Sequence, residues 1–271
     1  MEGGSFVRVC ERALARARDA VSGLSASGEA GRRVDRGFFG DVSLVADLEA
    51  ERMIVETLQQ ELGGRVMIVA EERGILGRGE NYDYVAVIDP VDGSNNVSAG
   101  IPFYSGAIAI ALGERYSDIV AAAVMDYITG DFYSATVEEG ALRNWNDRLR
   151  VKNDVKKLDN AYISLDPRIF KKTPEAAIRL LQRAKNIRFF GSSVLEIIYV
   201  VLGRINAFVA FPRIMRIVDI AAPLFIHSMA GGVVKWLEEG PGDVNLTTTE
   251  RHGFLASSTP ELASEINSLL S

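Results

Sequence analysis

Val66-Met67-Ile68-Val69-Ala70-Glu71-Glu72 and Tyr84-Val85-Ala86-Val87-Ile88-Asp89-Pro90-Val91-Asp92-Gly93-Ser94 decide the fold. Each opens as a short apolar run, read as a buried strand, and ends on acidic residues. A carboxylate directly after a buried strand sits at the strand's C-terminal end, where open sheets gather ligands. Glu71, Asp89 and Asp92 crowd into twenty-two positions. Unpaired, they repel one another and raise each other's pKa, a conflict that a divalent cation removes. Hard carboxylate oxygens suit magnesium or manganese. Pro90 fixes its own φ and lacks a donor, and Gly93 permits a tight turn. Such a turn lets Asp89, the Val91 carbonyl and Asp92 face one centre, while the amides of Gly93, Ser94 and Asn95 point at an anion. By spacing alone, the run reads equally as an Asp-rich structural turn and as a metal–phosphate site.

Around this centre the chain alternates helices and strands. Helices are expected at about 5–22, where Val7, Cys10, Leu14, Ala17 and Val21 repeat at three and four residues, and at about 44–62, closed by Gly63-Gly64. Arg8, Arg12 and Arg16 form a solvated stripe on the first. Residues 22–40 read as a Gly-, Ser- and Arg-rich loop, and its 31–40 part is placed to reach the site. Strands at 105–112, 119–126 and 131–137 follow in meander order. A charged stretch at 152–158 marks a lobe boundary. Beyond it come strands at 162–165, 187–190, 207–211, 233–236 and 254–256, with helices at about 174–184, 192–202, 218–230 and 260–270.

Composition bounds the function. Of 271 residues, 48% are hydrophobic and 24% charged, which excludes a disordered chain. Thirty basic against thirty-six acidic residues, a net charge of −6, argue against a general nucleic-acid binder. One cysteine, Cys10, excludes an intrachain disulfide and a Cys-rich zinc site, and suits a reducing compartment. No apolar run is long enough to span a membrane, and the first eighteen residues do not read as a secretory signal.

Ala70-Glu71-Glu72, Asp89-Pro90-Val91-Asp92-Gly93-Ser94-Asn95-Asn96 and Val218-Asp219-Ile220-Ala221-Ala222 together resemble the three signature blocks of the inositol monophosphatase family. The form here is most similar to archaeal members that hydrolyse both fructose 1,6-bisphosphate and inositol 1-phosphate. The resemblance runs along nearly the whole chain. It implies an α+β fold, a layered αβαβα sandwich, as one catalytic domain (1–271) with lobes at about 1–155 and 156–271. It implies two or three magnesium ions, replaceable by manganese, and a cytoplasmic homodimer acting on a small phosphorylated metabolite.

The resemblance also implies roles. Glu71, Asp89, the Val91 carbonyl, Asp92 and Asp219 would bind metal. Glu71, Ser94 and Asp47 would orient the attacking water, with Ser94 standing where the family usually has Thr. Gly93, Ser94 and Asn95 would hold the phosphate. Asp92, Asp219, Ser192 and Ser193 would border the substrate. The substrate-binding Glu of inositol phosphatases is missing from Phe211-Pro212-Arg213-Ile214-Met215-Arg216. Arginines stand nearby instead, and Arg188, Arg204, Arg213 and Arg216 are candidates for a second anionic group on the substrate. Two other functions fit the same metal motifs: an NADP 2′-phosphatase or 3′(2′),5′-bisphosphate nucleotidase, and a non-catalytic scaffold that binds phosphate ligands. His227 reads as a core histidine, His252 as a surface one, and Trp145, Trp236, Tyr104 and Tyr127 as packing residues.

Overall fold

The computed structural model describes residues 3–40, 42–77, 79, 81–152, 154–237 and 243–270. The first half of the chain supplies α1 (Gly3–Ala26), β1 (Arg33–Arg36), β2 (Val42–Leu44), α2 (Val45–Glu61), β3 (Val66–Ala70), β4 (Gly74–Leu76), β5 (Tyr84–Asp92), α3 (Ser94–Ala99), β6 (Ser105–Ala111), β7 (Ile119–Asp126), β8 (Phe132–Thr136), β9 (Gly140–Arg143) and β10 (Asp147–Arg148). The second half supplies β11 (Tyr162–Leu165), α4 (Ile169–Lys172), α5 (Pro174–Arg183), β12 (Asn186–Arg188), α6 (Ser193–Val201), β13 (Ala207–Met215), α7 (Ile217–Met229), β14 (Val233–Trp236), β15 (His252–Ser257) and α8 (Pro260–Ser268).

Two mixed sheets organise these elements. The larger runs β10-β9-β8-β7-β6-β5-β3-β4 and the smaller β12-β11-β13-β15-β14. Alternating side chains pack each sheet on both faces, so its central strands read as continuous apolar runs. In β5, Ala86 and Ile88 join α1 and α2 in one core, whereas Val85 and Val87 turn to a second core with α6 and α7. In β6, Ile108 and Ile110 face α1 and α2, and the smaller Ala107 and Ala109 face α6 and α7. Phe208 and Phe254 of the small sheet close that central core from the other side. Ile163, Val209 and Leu255 pack outward against α5 and α8. The order of layers is therefore αβαβα, as expected, with α6 and α7 shared by both sheets.

Besides the end of α1 and the strand β1, which lie within the expected 22–40 loop, three further features stand out as departures from the sequence reading. The Asp-Pro-Val-Asp run does not follow the strand as a turn: β5 continues through it to Asp92. Pairing passes from Asp89↔Ala107 to Asp92↔Ser105, so three steps along β5 match two along β6. Pro90 has no N–H for the ladder, and a bulge absorbs the extra residue. Secondly, β9 and β10 extend the large sheet where no strand was expected, on residues of mixed polarity at its edge. Thirdly, His252 lies in β15 at 6% exposure against the Trp236 ring, not on the surface. His227 is fully buried in α7, as expected. Among the described residues, no helix is long and apolar enough to cross a membrane.

Candidate metal centre

Strand pairing brings the carboxylates together. β3 and β5 run parallel with Ala70 opposite Ile88, so both strands deliver their next residues, Glu71 and Asp89, to one end of the sheet. The third group arrives from the other half of the chain. α7 starts just after β13, and Asp219 sits in its first turn, where a carboxylate suits the helix dipole. Oxygens of Glu71, Asp89 and Asp219 lie within 4.8 Å of one another.

Asp89 is the decisive member. It is fully buried, and neither of its carboxylate oxygens meets a hydrogen-bond donor among the described residues. Such a group is costly unless something compensates it. Burial, then the charges of Glu71, Asp92 and Asp219, hold its pKa well above the usual carboxylate range. Burial likewise pushes Glu71 up to about 7; Arg216 opposes the rise, and Asp219 and Glu72 add to it. An all-oxygen donor set with an orphaned buried carboxylate fits a hard divalent cation.

Asp92 stands beside this triple but turns both oxygens to the start of α6. It accepts from the Ser192 hydroxyl and the Val194 amide (2.8 Å) on one oxygen and from the Ser193 hydroxyl (3.1 Å) on the other. Burial raises its pKa to about 6, against these bonds. Ser192 is at the same time the N-cap of α6, accepting from the Leu195 amide at 3.3 Å. Residues of the two halves thus meet on one carboxylate.

Ser94 is hydrogen-bonded to Asp47 Oδ1 at 2.7 Å, and the Val91 carbonyl lies 2.9 Å from the same hydroxyl. The other Asp47 oxygen accepts from the Leu44 amide at 2.8 Å. Burial and then Glu71 push Asp47 up to about 7, against the Leu44 and Ser94 bonds. Gly93 has φ +103°, and a Cβ there would sit 3.0 Å from the Phe103 carbonyl, so the position requires glycine. Ser94 and Asn95 are the first residues of α3, where amides have no carbonyl one turn back.

The expected arginines separate. Arg216 lies inside the acidic cluster rather than at a distal end: Nη1 is 2.6 Å from Glu71 Oε1 and Nη2 2.7 Å from Asp219 Oδ1. Arg188 is exposed at the sheet edge, 5.9 Å from the centroid of the Tyr162 ring. Arg204 stacks on Tyr199 at 4.5 Å. Arg213 is exposed on β13.

The structure adds residues that the sequence reading passed over. Arg168 pairs with Asp166 at 2.7 Å, touches Met215 Sδ at 3.1 Å and feels the charges of Asp219 and Arg216. Asp166 follows β11 directly, the same strand-then-carboxylate pattern that marked Asp89, and would have been findable. Glu196 accepts from the Phe190 and Gly191 amides (3.1 and 2.9 Å) and from Ser164, fixing the approach to α6. Asn96 Nδ2 spans the Phe103 and Phe190 carbonyls at 2.7 and 2.8 Å. The 31–40 loop does reach the site. The Phe38 amide bonds the Glu72 carbonyl at 2.9 Å, and the Phe39 ring lies 5.7 Å from the Arg216 guanidinium.

A layered sandwich with an acidic cluster where its large sheet meets the central helical layer is the architecture of metal-dependent sugar-phosphate phosphatases. The model of the inositol monophosphatase family matches residues 8–271, and the chain belongs to that family. The fructose-1,6-bisphosphatase/inositol-1-monophosphatase of Methanothermobacter thermautotrophicus is 31% identical, over 97% of this chain and 94% of that protein. The bifunctional NADP phosphatase/NAD kinase of Methanococcus maripaludis is 31% identical over 74% of this chain, which spans 37% of that longer protein. In fold, the chain is similar to a Pyrococcus horikoshii protein described as having similarities to inositol-1 monophosphatase, with TM-score 0.81, 24% identity and both chains covered completely.

Proposed function

We propose that this chain is a magnesium-dependent phosphomonoesterase. Its substrates are small phosphorylated sugars or polyols, fructose 1,6-bisphosphate and inositol 1-phosphate first among them, and water attacks the ester directly. The observation that carries this reading is the donorless buried carboxylate of Asp89 between Glu71 and Asp219. Glu71, Asp89, the Val91 carbonyl, Asp92 and Asp219 would hold two or three magnesium or manganese ions, which would supply charge neutralisation at the phosphate and acidify a water.

The remaining work belongs to the side chains. Ser94 donates to Asp47 and so offers its own oxygen as acceptor to the attacking water, aided by Glu71. Asp47, pushed up to about 7, is suited to take that proton near neutral pH. The amides of Gly93, Ser94 and Asn95 hold the phosphate. Ser192 and Ser193 fix Asp92 at the substrate border. Arg188 and Arg213 are proposed to read a second anionic group. A cytoplasmic homodimer without nucleic-acid or membrane partners is proposed with it, on the resemblance and the net negative charge.

A second reading, a 2′-phosphatase of NADP, is supported by the likeness to the Methanococcus maripaludis protein. One turnover panel separates the two: fructose 1,6-bisphosphate, inositol 1-phosphate, NADP and adenosine 3′,5′-bisphosphate, each with and without magnesium. The first two are expected to lead. NADP leading by tenfold or more would favour the second reading, and binding without phosphate release would favour a non-catalytic scaffold.

A further inference from the structure

Arg216 bridges both halves of the cluster with its own side chain. Its Nη1 reaches Glu71 Oε1 at 2.6 Å, on the end of β3. Its Nη2 and Nε reach Asp219 Oδ1 at 2.7 and 3.0 Å, in the first turn of α7. The backbone amide of Arg216 also bonds Asp219 Oδ2 at 3.0 Å, which closes the helix start. The side chain is 13% exposed, and Phe39 stands over the guanidinium. Asp89, by contrast, receives nothing from it in hydrogen bonds.

The consequence follows from charge and lone pairs. Glu71 and Asp219 are offered to a cation by the reading above, yet here Arg216 already holds Glu71 Oε1 and both oxygens of Asp219. A divalent cation placed on those oxygens would sit within a few ångströms of a positive charge in a dry site, where the repulsion is large. The two cations therefore compete for that pair of carboxylates. Asp89 can take an ion while Arg216 stays; Glu71 and Asp219 would have to be shared with it or released by it.

We propose that Arg216 is a resident counter-cation. Its guanidinium holds Glu71 and Asp219 in place in the cation-free protein and yields them when a divalent cation takes them, so it sets the affinity of the weaker cation site. The inference rests on the metal reading of the cluster. A long, unbranched side chain anchored just before α7 can leave the carboxylates without disturbing the helix, because the capping bond to Asp219 comes from the backbone amide. The 31–40 loop is coupled to the change through Phe39.

Titration of chelator-stripped protein with manganese by calorimetry, without substrate, tests this on wild type, Arg216→Met and Arg216→Lys. The weaker of the manganese affinities should tighten about tenfold or more in Arg216→Met, the equivalent of at least one full charge–charge repulsion removed. In chelator, Arg216→Met should melt below wild type, and saturating manganese should close that gap. Arg216→Lys, whose point charge cannot bridge two carboxylates as a fork does, should tighten by a smaller factor. Equal or weaker manganese affinity in a folded Arg216→Met protein would overturn the proposal and make Arg216 a fixed part of the ligand frame. If Arg216→Met does not fold, the lysine variant decides on the same criterion. Absence of manganese binding to wild type would instead remove the metal reading itself, and the proposal with it.

Discussion

Asp89 is a carboxyl in the worst place for a charge, fully buried beside Glu71 and Asp219 and, among the described residues, without a donor on either oxygen. Replacing it with asparagine removes a proposed ligand and a source of repulsion at once. Asp89→Asn should therefore lower magnesium-dependent turnover about 100-fold or more, each tenfold being about 1.4 kcal/mol of barrier. The cation-free protein should melt no lower than wild type, because a buried carboxyl without a hydrogen-bond donor is gone. Phosphate release and thermal unfolding in chelator, measured together, check both halves. Ser94 offers a cleaner test of water positioning. Ser94→Ala should lower kcat by about 100-fold or more at nearly unchanged metal affinity, whereas Ser94→Thr, which keeps the hydroxyl, should retain most of it. Equal losses in both variants would mean that the hydroxyl does not act through Asp47.

At the scale of elements, the start of α6 holds Asp92 while capping itself. Ser192→Ala removes an N-cap and one of the bonds to Asp92. It should cost about 1 kcal/mol of stability and raise KM for a bisphosphate substrate, with kcat and denaturant midpoint as the paired readouts. This double role also explains what was legible in the sequence. Gly191-Ser192-Ser193 could be read as a helix start or as a substrate border, and it is structurally the first while facing the site through Asp92. The two strand ends carrying Glu71 and Asp89 were legible because apolar runs stop abruptly on acids. The bulge through Pro90 was not, because a proline and a glycine signal a turn as readily as a strand that absorbs an extra residue. Arg168 was missed although β11 itself was expected, because its place beside the cluster rests on contacts with Asp166 and with Met215, 47 positions on, which no local pattern reports. The place of Arg216 depended on Glu71, 145 positions earlier, and no local pattern reports such a pairing.

The whole molecule has the acidic cluster where its halves meet, so the charge of the site and the stability of the fold are linked. Burial raises Glu71 from 4.5 and Asp47 from 3.8 to about 7, and Asp92 from 3.8 to about 6. Between about pH 4 and 7 the folded chain therefore binds more protons at these groups than the unfolded chain does. Their contribution favours folding at the acid end and declines as pH rises through that window. Asp89, held well above the usual carboxylate range, adds to this and is what the asparagine variant removes, so in chelator the melting temperature of wild type relative to Asp89→Asn should fall between about pH 5.5 and pH 8, by about 2–4 °C for each kcal/mol lost. Magnesium should raise the melting temperature more at the higher pH. A flat difference across that range would mean that the cluster is already neutralised without cations. The layered order of the fold came from the resemblance carried by the family blocks, with which the helix and strand pattern agrees. That α6 and α7 serve both sheets was not legible, since it depends on which face each residue turns inward.

The most direct test is inorganic phosphate released from fructose 1,6-bisphosphate by wild type and Asp89→Asn, each stripped with chelator and then given magnesium. Release by wild type only after magnesium is added, with at least a 100-fold deficit in the variant, is the expected result. Equal release by both proteins, or release that ignores magnesium, would contradict a centre built on Glu71, Asp89 and Asp219.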